Sequence, residues 1–119
     1  MMKFVVIGCG NIAQRCSIPA LMNSGVTDVV CVVDTDENKR AIVAERFGVP
    51  FETDLQHVLN TYEFESVYIS TPNAIHLQIV EQVAPYRKNI LCEKPLAGSM
   101  ADAERMAELG IQYNIPIFE

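Results

Sequence analysis

The 119-residue sequence predicts a single α/β domain built on a doubly wound parallel sheet. Short apolar runs alternate with helical segments along the whole chain, which favours a parallel sheet with helices on both faces. Residues 29–33 are entirely apolar, as expected of a strand that is covered on both sides. A glycine-rich turn joins the first strand to the first helix. With right-handed crossovers, about six strands then follow the order 3-2-1-4-5-6.

The predicted strands are short apolar runs that end at turn-forming residues. They cover residues 3–7, 29–33, 49–52, 66–70, 89–92 and 115–118. Because Pro50 has no backbone N–H to donate, its strand is expected at an edge of the sheet.

The predicted helices lie between these strands. The first runs from Asn11 to a turn-rich segment, and the others cover residues 36–47, 54–59, 74–84 and 99–113. Pro19 lies inside the first helix, so we expect a kink or a restart there, with Ser17 as the new cap. Gly48 ends the second helix and Asp54 caps the third.

Apolar spacing predicts which helix faces are buried. In the fourth helix the inward residues are Ile75, Ile79 and Val83. In the last helix they are Ala103, Met106, Ala107 and Gly110.

Charge and hydropathy limit the partners of this chain. The formal net charge is −6 and the sequence pI is about 4.8, which argues against nucleic acid or an anionic membrane as a partner. No apolar stretch is long enough to span a bilayer, and the N-terminal run is too short for a signal peptide. We therefore expect a cytoplasmic protein.

The cysteines show neither a CxxC pair nor a metal-ligand spacing, so we expect reduced thiols and no metal site. Cys31 and Cys92 lie in predicted buried strands, where a thiol behaves as a small hydrophobe. Cys9 lies beside a helix N-terminus, a position that lowers a thiol pKa. Its place in the glycine turn is set mainly by the backbone, so no redox role is expected.

The glycine turn, residues 8–13, has the form G-x-G-x-x-A. Gly8 permits the tight turn, Gly10 lets a pyrophosphate approach the backbone, and Ala13 lets the helix lie close to the strand. The free N–H groups and positive dipole end of the helix then face the phosphates. Because such turns also occur for structural reasons alone, the motif needs support from its surroundings.

Asp34 supplies that support. It ends the second strand 21 positions after Ala13, where a carboxylate can bind the adenosine ribose of a dinucleotide. The alternative is that Asp34 caps the next helix, a role that Asp36 could also fill. A carboxylate here repels the 2′-phosphate of NADP, which favours NAD. Lys39 and Arg40 follow closely, however, and one of them could reach a phosphate.

Three more segments fall at the carboxyl ends of strands, where open α/β sheets bind ligands. They are residues 70–76, residues 92–96 and Glu119. Taken singly, Asn73 could be a helix cap, His76 a polar residue of a first helical turn, and Lys94 a solvated loop lysine. Their convergence on one edge with the glycine turn favours a shared site.

The glycine turn, Asp34, the T-P-N-A-I-H run at 71–76 and the E-K-P-L run at 93–96 together resemble the NAD(P)-binding Rossmann domain of the Gfo/Idh/MocA oxidoreductases. The resemblance covers essentially the whole chain, and the E-K-P run is its most selective part. It implies pyrophosphate contacts from Gly8, Cys9, Gly10, Asn11 and Ile12. It also implies that Asp34 binds the adenosine ribose, with Thr35 and Arg40 nearby.

The resemblance assigns the other end of the edge to nicotinamide. The residues implied to line that side are Thr71, Pro72, Asn73 and His76. Glu93 would contact the nicotinamide ribose, and Lys94 would lie between nicotinamide and substrate. The Lys94–Pro95 peptide bond would be cis, an isomer that is accessible before proline.

The implied reaction is hydride transfer between a nicotinamide cofactor and a hydroxyl of a sugar, polyol or sugar derivative. Lys94 would polarise the substrate oxygen as the catalytic residue. Family members carry a second α/β domain after the sixth strand, and residues 1–119 supply only the first. We therefore expect a piece of a longer dehydrogenase, inactive by itself. The alternative is a stand-alone NAD-binding regulatory or partner module. An uncovered sheet edge would favour a homodimer.

Overall fold

The sheet of the chain has the predicted order. In a computed structural model that describes residues 1–119, six parallel strands are arranged as β3-β2-β1-β4-β5-β6. The strands are β1 (Met2–Ile7), β2 (Thr27–Val33), β3 (Phe51–Glu52), β4 (Ser66–Ile69), β5 (Asn89–Cys92) and β6 (Ile117–Phe118). The doubly wound parallel fold is therefore confirmed, and β3, which follows Pro50, lies at an edge as predicted.

Five α-helices connect these strands. They are α1 (Ile18–Asn23), α2 (Lys39–Phe47), α3 (Leu55–Thr61), α4 (His76–Val83) and α5 (Met100–Tyr113). Gly48 ends α2 in the left-handed conformation, and Asp54 caps α3 by accepting from the N–H groups of Gln56 and His57, both as predicted. No helix has both the length and the apolar character needed to cross a membrane.

The segment before α1 differs from the prediction. Residues Ala13–Ser17 form a π-helical turn that leads directly into α1, and the N–H of Ile18 bonds to the carbonyl of Ala13. Ser17 is buried, has helical dihedral angles and caps nothing. The expected restart at Ser17 is therefore wrong. The wider π turn takes up the missing N–H of Pro19 while the chain stays helical.

The core has one layer on each face of the sheet. Along β1, Val5 and Ile7 pack on the face covered by α3, α4 and α5, whereas Val6 packs on the face covered by α1 and α2. This alternation follows from the two-residue period of a strand. Cys31 and Cys92 are buried in the larger layer, as predicted.

Two inward positions were predicted wrongly. Ile75 is 38% exposed because it lies in a short 3₁₀ turn before α4, where the helical spacing does not yet apply. Ala107 is exposed, and Leu109 instead accompanies Met106 on the buried face of α5. Ile79, Val83 and Met106 are buried as expected, and Ala103 and Gly110 are partly buried.

The carboxyl ends of the strands are tied together beyond the last strand residues. The N–H of Gly8 donates to Val33 O at 2.7 Å, and the N–H of Ser70 donates to Ile7 O at 2.7 Å. The N–H of Glu93 donates to Ile69 O at 2.8 Å. The turns after β1, β4 and β5 are therefore each anchored to a neighbouring strand at their first residue.

Candidate functional site

A groove of about 530 Å³ lies at the carboxyl ends of β1, β2 and β4. This volume is in the range of small-molecule sites. Seven of the residues predicted to bind a cofactor line it: Gly8, Cys9, Gly10, Asp34, Thr35, Thr71 and Pro72. The other seven do not line it: Asn11, Ile12, Arg40, Asn73, His76, Glu93 and Lys94.

The two glycines of the turn have different physical roles. Gly8 has φ +98°, and a Cβ there would lie 2.8 Å from the carbonyl carbon and oxygen of Ser70. The protein itself therefore requires glycine at this position. A Cβ on Gly10 would meet no protein atom within 4 Å. Nothing in the chain requires glycine at position 10, and its open side faces the groove.

Asp34 connects the turns that follow β1 and β2. Its Oδ2 accepts from the N–H of Cys9 at 2.8 Å, and its Oδ1 accepts from the N–H of Asp36 at 2.8 Å. Asp36 in turn accepts from the N–H of Asn38, and α2 begins at Lys39 rather than at residue 36. Each oxygen of Asp34 keeps a further lone pair for a ligand. Supporting the next turn and binding a ribose are thus compatible roles.

Every polar backbone group of Cys9 is used within the chain. Its N–H bonds to Asp34, and its carbonyl accepts from Gln14 Nε2 at 2.9 Å and Lys39 Nζ at 3.2 Å. In a trans peptide the N–H lies opposite the carbonyl, so this arrangement leaves the N–H of Gly10 free on the other side. Gln14 was not predicted, because its role depends on the turn geometry.

The thiol of Cys9 does not behave as its sequence position suggested. The side chain is fully buried, and burial raises the pKa of the Cys9 thiol, with a further increase from the Asp34 carboxylate. The expectation of a lowered pKa at this helix N-terminus is therefore wrong. Burial and the nearby carboxylate outweigh the effect of the helix dipole on this thiol.

Arg40 faces away from the groove. Its guanidinium bonds to the Glu37 carboxylate, donates to Phe51 O at 2.8 Å and stacks over the Phe51 ring with 5.0 Å to the centroid. The Glu37 carboxylate raises the pKa of Arg40, and Arg40 lowers the pKa of Glu37. The side chain thus ties α2 to β3 and lies beyond the groove wall.

Thr71 lies where the groove meets the loop after β4. Its Oγ1 is the one buried polar side-chain atom of the chain without a hydrogen-bond partner. An unsatisfied buried hydroxyl is unfavourable, and in native proteins such a group calls for an explanation. A bound molecule in the groove would supply one.

His76 has its ring turned to backbone carbonyls. The residue is 1% exposed, with Nε2 at 2.9 Å from Thr71 O and Nδ1 at 3.1 Å from Pro95 O and 3.2 Å from Leu96 O. Whichever ring nitrogen carries the proton donates to one of these oxygens. The side chain therefore joins the loop after β4 to the loop after β5.

Lys94 is exposed on the loop that follows β5. It makes no hydrogen bond or ion pair, although the loop around it is held in place. The Lys94–Pro95 peptide bond is cis, as expected. The N–H of Leu96 donates to Glu119 Oε2 at 2.7 Å, which brings the end of the chain into the same network. Lys94 is thus a free ammonium group on a fixed backbone.

Glu93 points to the opposite face of the sheet from the groove. Its carboxylate accepts a hydrogen bond from the hydroxyl of Tyr68. Tyr68 received no role from the sequence, although a polar tip in the apolar run of β4 was a usable signal. Asn73, Asn11 and Ile12 are exposed around the same edge, with Ile12 53% exposed.

The family model described as "Oxidoreductase family, NAD-binding Rossmann fold" matches residues 2–115. The D-xylose 1-dehydrogenase [NADP(+)] of Haloarcula marismortui is 35% identical over 116 residues, covering 90% of this chain and 31% of that protein. The dTDP-3,4-didehydro-2,6-dideoxy-alpha-D-glucose 3-reductase of Saccharopolyspora spinosa is 30% identical, covering 96% of this chain and 34% of that protein. The chain thus spans about a third of the length of these curated relatives.

Solved structures agree with this match. An oxidoreductase from Agrobacterium radiobacter in complex with NAD⁺, L-tartaric acid and magnesium has a TM-score of 0.91 and 26% identity, covering 98% of this chain and 34% of that one. A 3-ketoreductase from Actinomadura kijaniata in complex with TDP-benzene and NADP has a TM-score of 0.89 and 26% identity, covering 98% and 37%. The chain therefore belongs to the Gfo/Idh/MocA oxidoreductases and forms their nicotinamide-cofactor-binding Rossmann domain.

Proposed function

We propose that this chain binds NAD along the carboxyl edge of its sheet, as the cofactor domain of an enzyme that transfers hydride to or from a sugar, polyol or sugar derivative. One observation carries the proposal. The Asp34 carboxylate and the open side of Gly10 line the same groove, with Asp34 bonded directly to the glycine turn. This arrangement supports the proposal, because the carboxylate that would bind a ribose lies beside the turn that would bind the phosphates.

The groove fits the adenosine half of the cofactor. The free N–H of Gly10 and the first turn of the following helix would bind the pyrophosphate. Asp34 would accept from the adenosine ribose hydroxyls through its remaining lone pairs. Leu55 and Ile79 provide an apolar wall for a base, and the unpartnered Thr71 hydroxyl lies on the same groove. These features support the binding of a nucleotide in this groove.

The residues of the other end would serve the nicotinamide half. A bound nicotinamide ring supplies the hydride chemistry, while the protein supplies position and electrostatics. Asn73, Glu93 and Lys94 surround this part of the edge, and Lys94 has no partner of its own. Its ammonium group is therefore available to donate a hydrogen bond to a substrate oxygen and so to polarise it.

A preference for NAD over NADP is part of the proposal. The Asp34 carboxylate would repel a 2′-phosphate, and Arg40 is engaged by Glu37 and the Phe51 carbonyl. Among the relatives, the name of the H. marismortui enzyme carries NADP⁺, whereas the A. radiobacter structure contains NAD⁺. The cofactor choice of this chain therefore rests on its own residues at the end of β2.

Catalysis is proposed to need residues beyond this domain. Lys94 stands on an exposed loop, and its surroundings in this chain offer nothing that would exclude water or orient a sugar. The relatives are about three times as long. A further domain that covers this loop would supply both functions. A regulatory NAD-binding module remains the alternative.

Calorimetric titration of the 119-residue chain with NAD, NADH and NADP tests the proposal. Saturable binding of NAD, tighter than that of NADP, is expected. The absence of saturation at millimolar NAD would reject cofactor binding. A parallel assay follows NADH formation with a panel of sugars and inositols. Turnover by this chain alone would contradict the need for a further domain.

A further inference from the structure

A tyrosine on one strand holds a carboxylate that follows the next strand. Tyr68 lies on β4 opposite Leu91 of β5, and Glu93 comes two residues after Leu91. Because side chains on one strand alternate between faces, Leu91 and Glu93 point to the same side as Tyr68. The Tyr68 hydroxyl donates to Oε2 of Glu93 across this short diagonal.

The contact fixes a side chain whose backbone is already anchored. The N–H of Glu93 donates to Ile69 O at 2.8 Å, so the main chain at this position continues the sheet ladder. What remains free is the glutamate side chain, with its three rotatable bonds. Tyr68 is the one side chain bonded to its carboxylate.

The tyrosine is suited to be a permanent donor. Burial raises the pKa of the Tyr68 phenol above its ordinary value of 10.0, and the Glu93 carboxylate raises it further. The hydroxyl is therefore protonated throughout the neutral range. Since Oε2 is occupied by this proton, Oε1 is left with its full acceptor capacity.

We infer that Tyr68 is a positioning residue that aims Oε1 of Glu93 at the hydroxyls of the nicotinamide ribose. The inference rests on the proposed function, which places Glu93 beside that ribose. Neither residue lines the groove assigned to adenosine, so the effect is confined to one half of the cofactor. Tyr68 would act through Glu93 and touch no part of the ligand.

Three ligands of increasing length distinguish this positioning role from a general loss of protein stability. ADP carries the adenosine and pyrophosphate, ADP-ribose adds the second ribose, and NAD adds the nicotinamide ring. Tyr68→Phe removes one oxygen and keeps the ring packing. It should weaken ADP-ribose and NAD by about three- to tenfold, the loss expected for one side-chain hydrogen bond, and leave ADP unchanged. Tyr86→Phe, which removes a hydroxyl bonded to Gln56 and Asn60, is the matched control and should change none of them.

A double-mutant cycle completes the test. Glu93→Ala should weaken ADP-ribose at least as much as Tyr68→Phe, and adding Tyr68→Phe to it should have no further effect. If Glu93→Ala weakens ADP-ribose but Tyr68→Phe does not, or if Tyr68→Phe weakens ADP equally, the positioning role is wrong. If ADP binds and Glu93→Ala leaves ADP-ribose unaffected, the placement of Glu93 in the proposed function fails as well.

If circular dichroism shows that Tyr68→Phe does not fold, a second variant tests the same inference. Glu93→Asp shortens the carboxylate arm by one methylene and withdraws it from the Tyr68 hydroxyl without altering the sheet. It should weaken ADP-ribose and leave ADP unchanged. Unaltered ADP-ribose affinity in this variant would overturn the inference.

Discussion

The two ends of the carboxyl edge are built in opposite ways. At the β1–β2 end, Asp34, Gln14 and Lys39 bond to the backbone of Cys9, so the glycine turn is held by its own chain before any ligand arrives. At the β4–β5 end, His76 holds the backbone of two loops while Lys94 stays free. The β1–β2 end is therefore a preformed groove. The β4–β5 end has solvent-exposed side chains on loops whose backbone is fixed.

This difference follows from what each end is proposed to bind. A pyrophosphate and a ribose can be recognised by backbone N–H groups and one carboxylate, which a single turn can preorganise. A reacting substrate needs side chains whose surroundings are completed by other parts of a protein. The first end should therefore be sensitive to backbone changes, and the second to side-chain changes that leave folding intact.

The largest effect is expected at Gly8. Gly8→Ala places a Cβ 2.8 Å from the Ser70 carbonyl at a φ of +98°. We expect a loss of about 3 kcal/mol or more in the free energy of unfolding, measured by urea denaturation. Gly25→Ala is the control, because Gly25 has φ +78° but open space around it, and it should cost about 1–2 kcal/mol. Equal losses would show that the contact with Ser70 is relaxed.

Asp34 should show the next largest effect, and on ligand binding. Asp34→Asn removes the charge that the ribose hydroxyls would bond to, so NAD and ADP should both weaken about ten- to a hundredfold by calorimetry. NADP should weaken less, because the repulsion of its 2′-phosphate is relieved. Asp36→Asn keeps the carbonyl oxygen that accepts from Asn38 and is the control. An unchanged ADP affinity in Asp34→Asn would remove Asp34 from the site.

Lys88 and Lys94 should respond differently to substitution, because Lys88 has a structural role and Lys94 is proposed to have a functional one. Lys88 Nζ donates to Phe64 O at 2.7 Å and lies 4.4 Å from the Phe64 ring centroid, so Lys88→Met should lower the free energy of unfolding by about 1 kcal/mol. Lys94→Met should change it by less than about 0.5 kcal/mol and leave ADP affinity unchanged. Urea denaturation and calorimetry give both values. A destabilised Lys94→Met would mean that the open end is not a free functional surface.

The smallest effect is expected at Arg40. Since its guanidinium is held by Glu37 and Phe51, Arg40→Ala should change the ratio of NADP to NAD dissociation constants by less than about twofold. Parallel titrations with the two cofactors measure this ratio. A selective loss of NADP affinity would show that Arg40 turns towards the 2′-phosphate, and that the β1–β2 end of the edge is not preorganised.

Sequence patterns alone predict the order of the strands, a glycine at position 8 and the placement of Asp34 at the end of β2. The strand order follows from the alternation of strands and helices with right-handed crossovers, and the other two features follow from turn chemistry. The contact with Ser70 that also requires glycine at position 8 forms only in the folded sheet. The family resemblance added the cis peptide before Pro95. It could not give the direction of a side chain, because that depends on residues far away in the sequence.

The hydrogen-bond partners of the side chains at the carboxyl edge depend on how distant strands pack. Tyr68 meets Glu93 because β4 and β5 pair in one register, and a slip by one residue would send Glu93 to the other face. Arg40 turns to Phe51 because β3 passes beside α2. The ring of His76 lies between two loops that only the sheet brings together. A residue type can be chosen by local chemistry, but its contacts are chosen by the packing of strands distant in the chain.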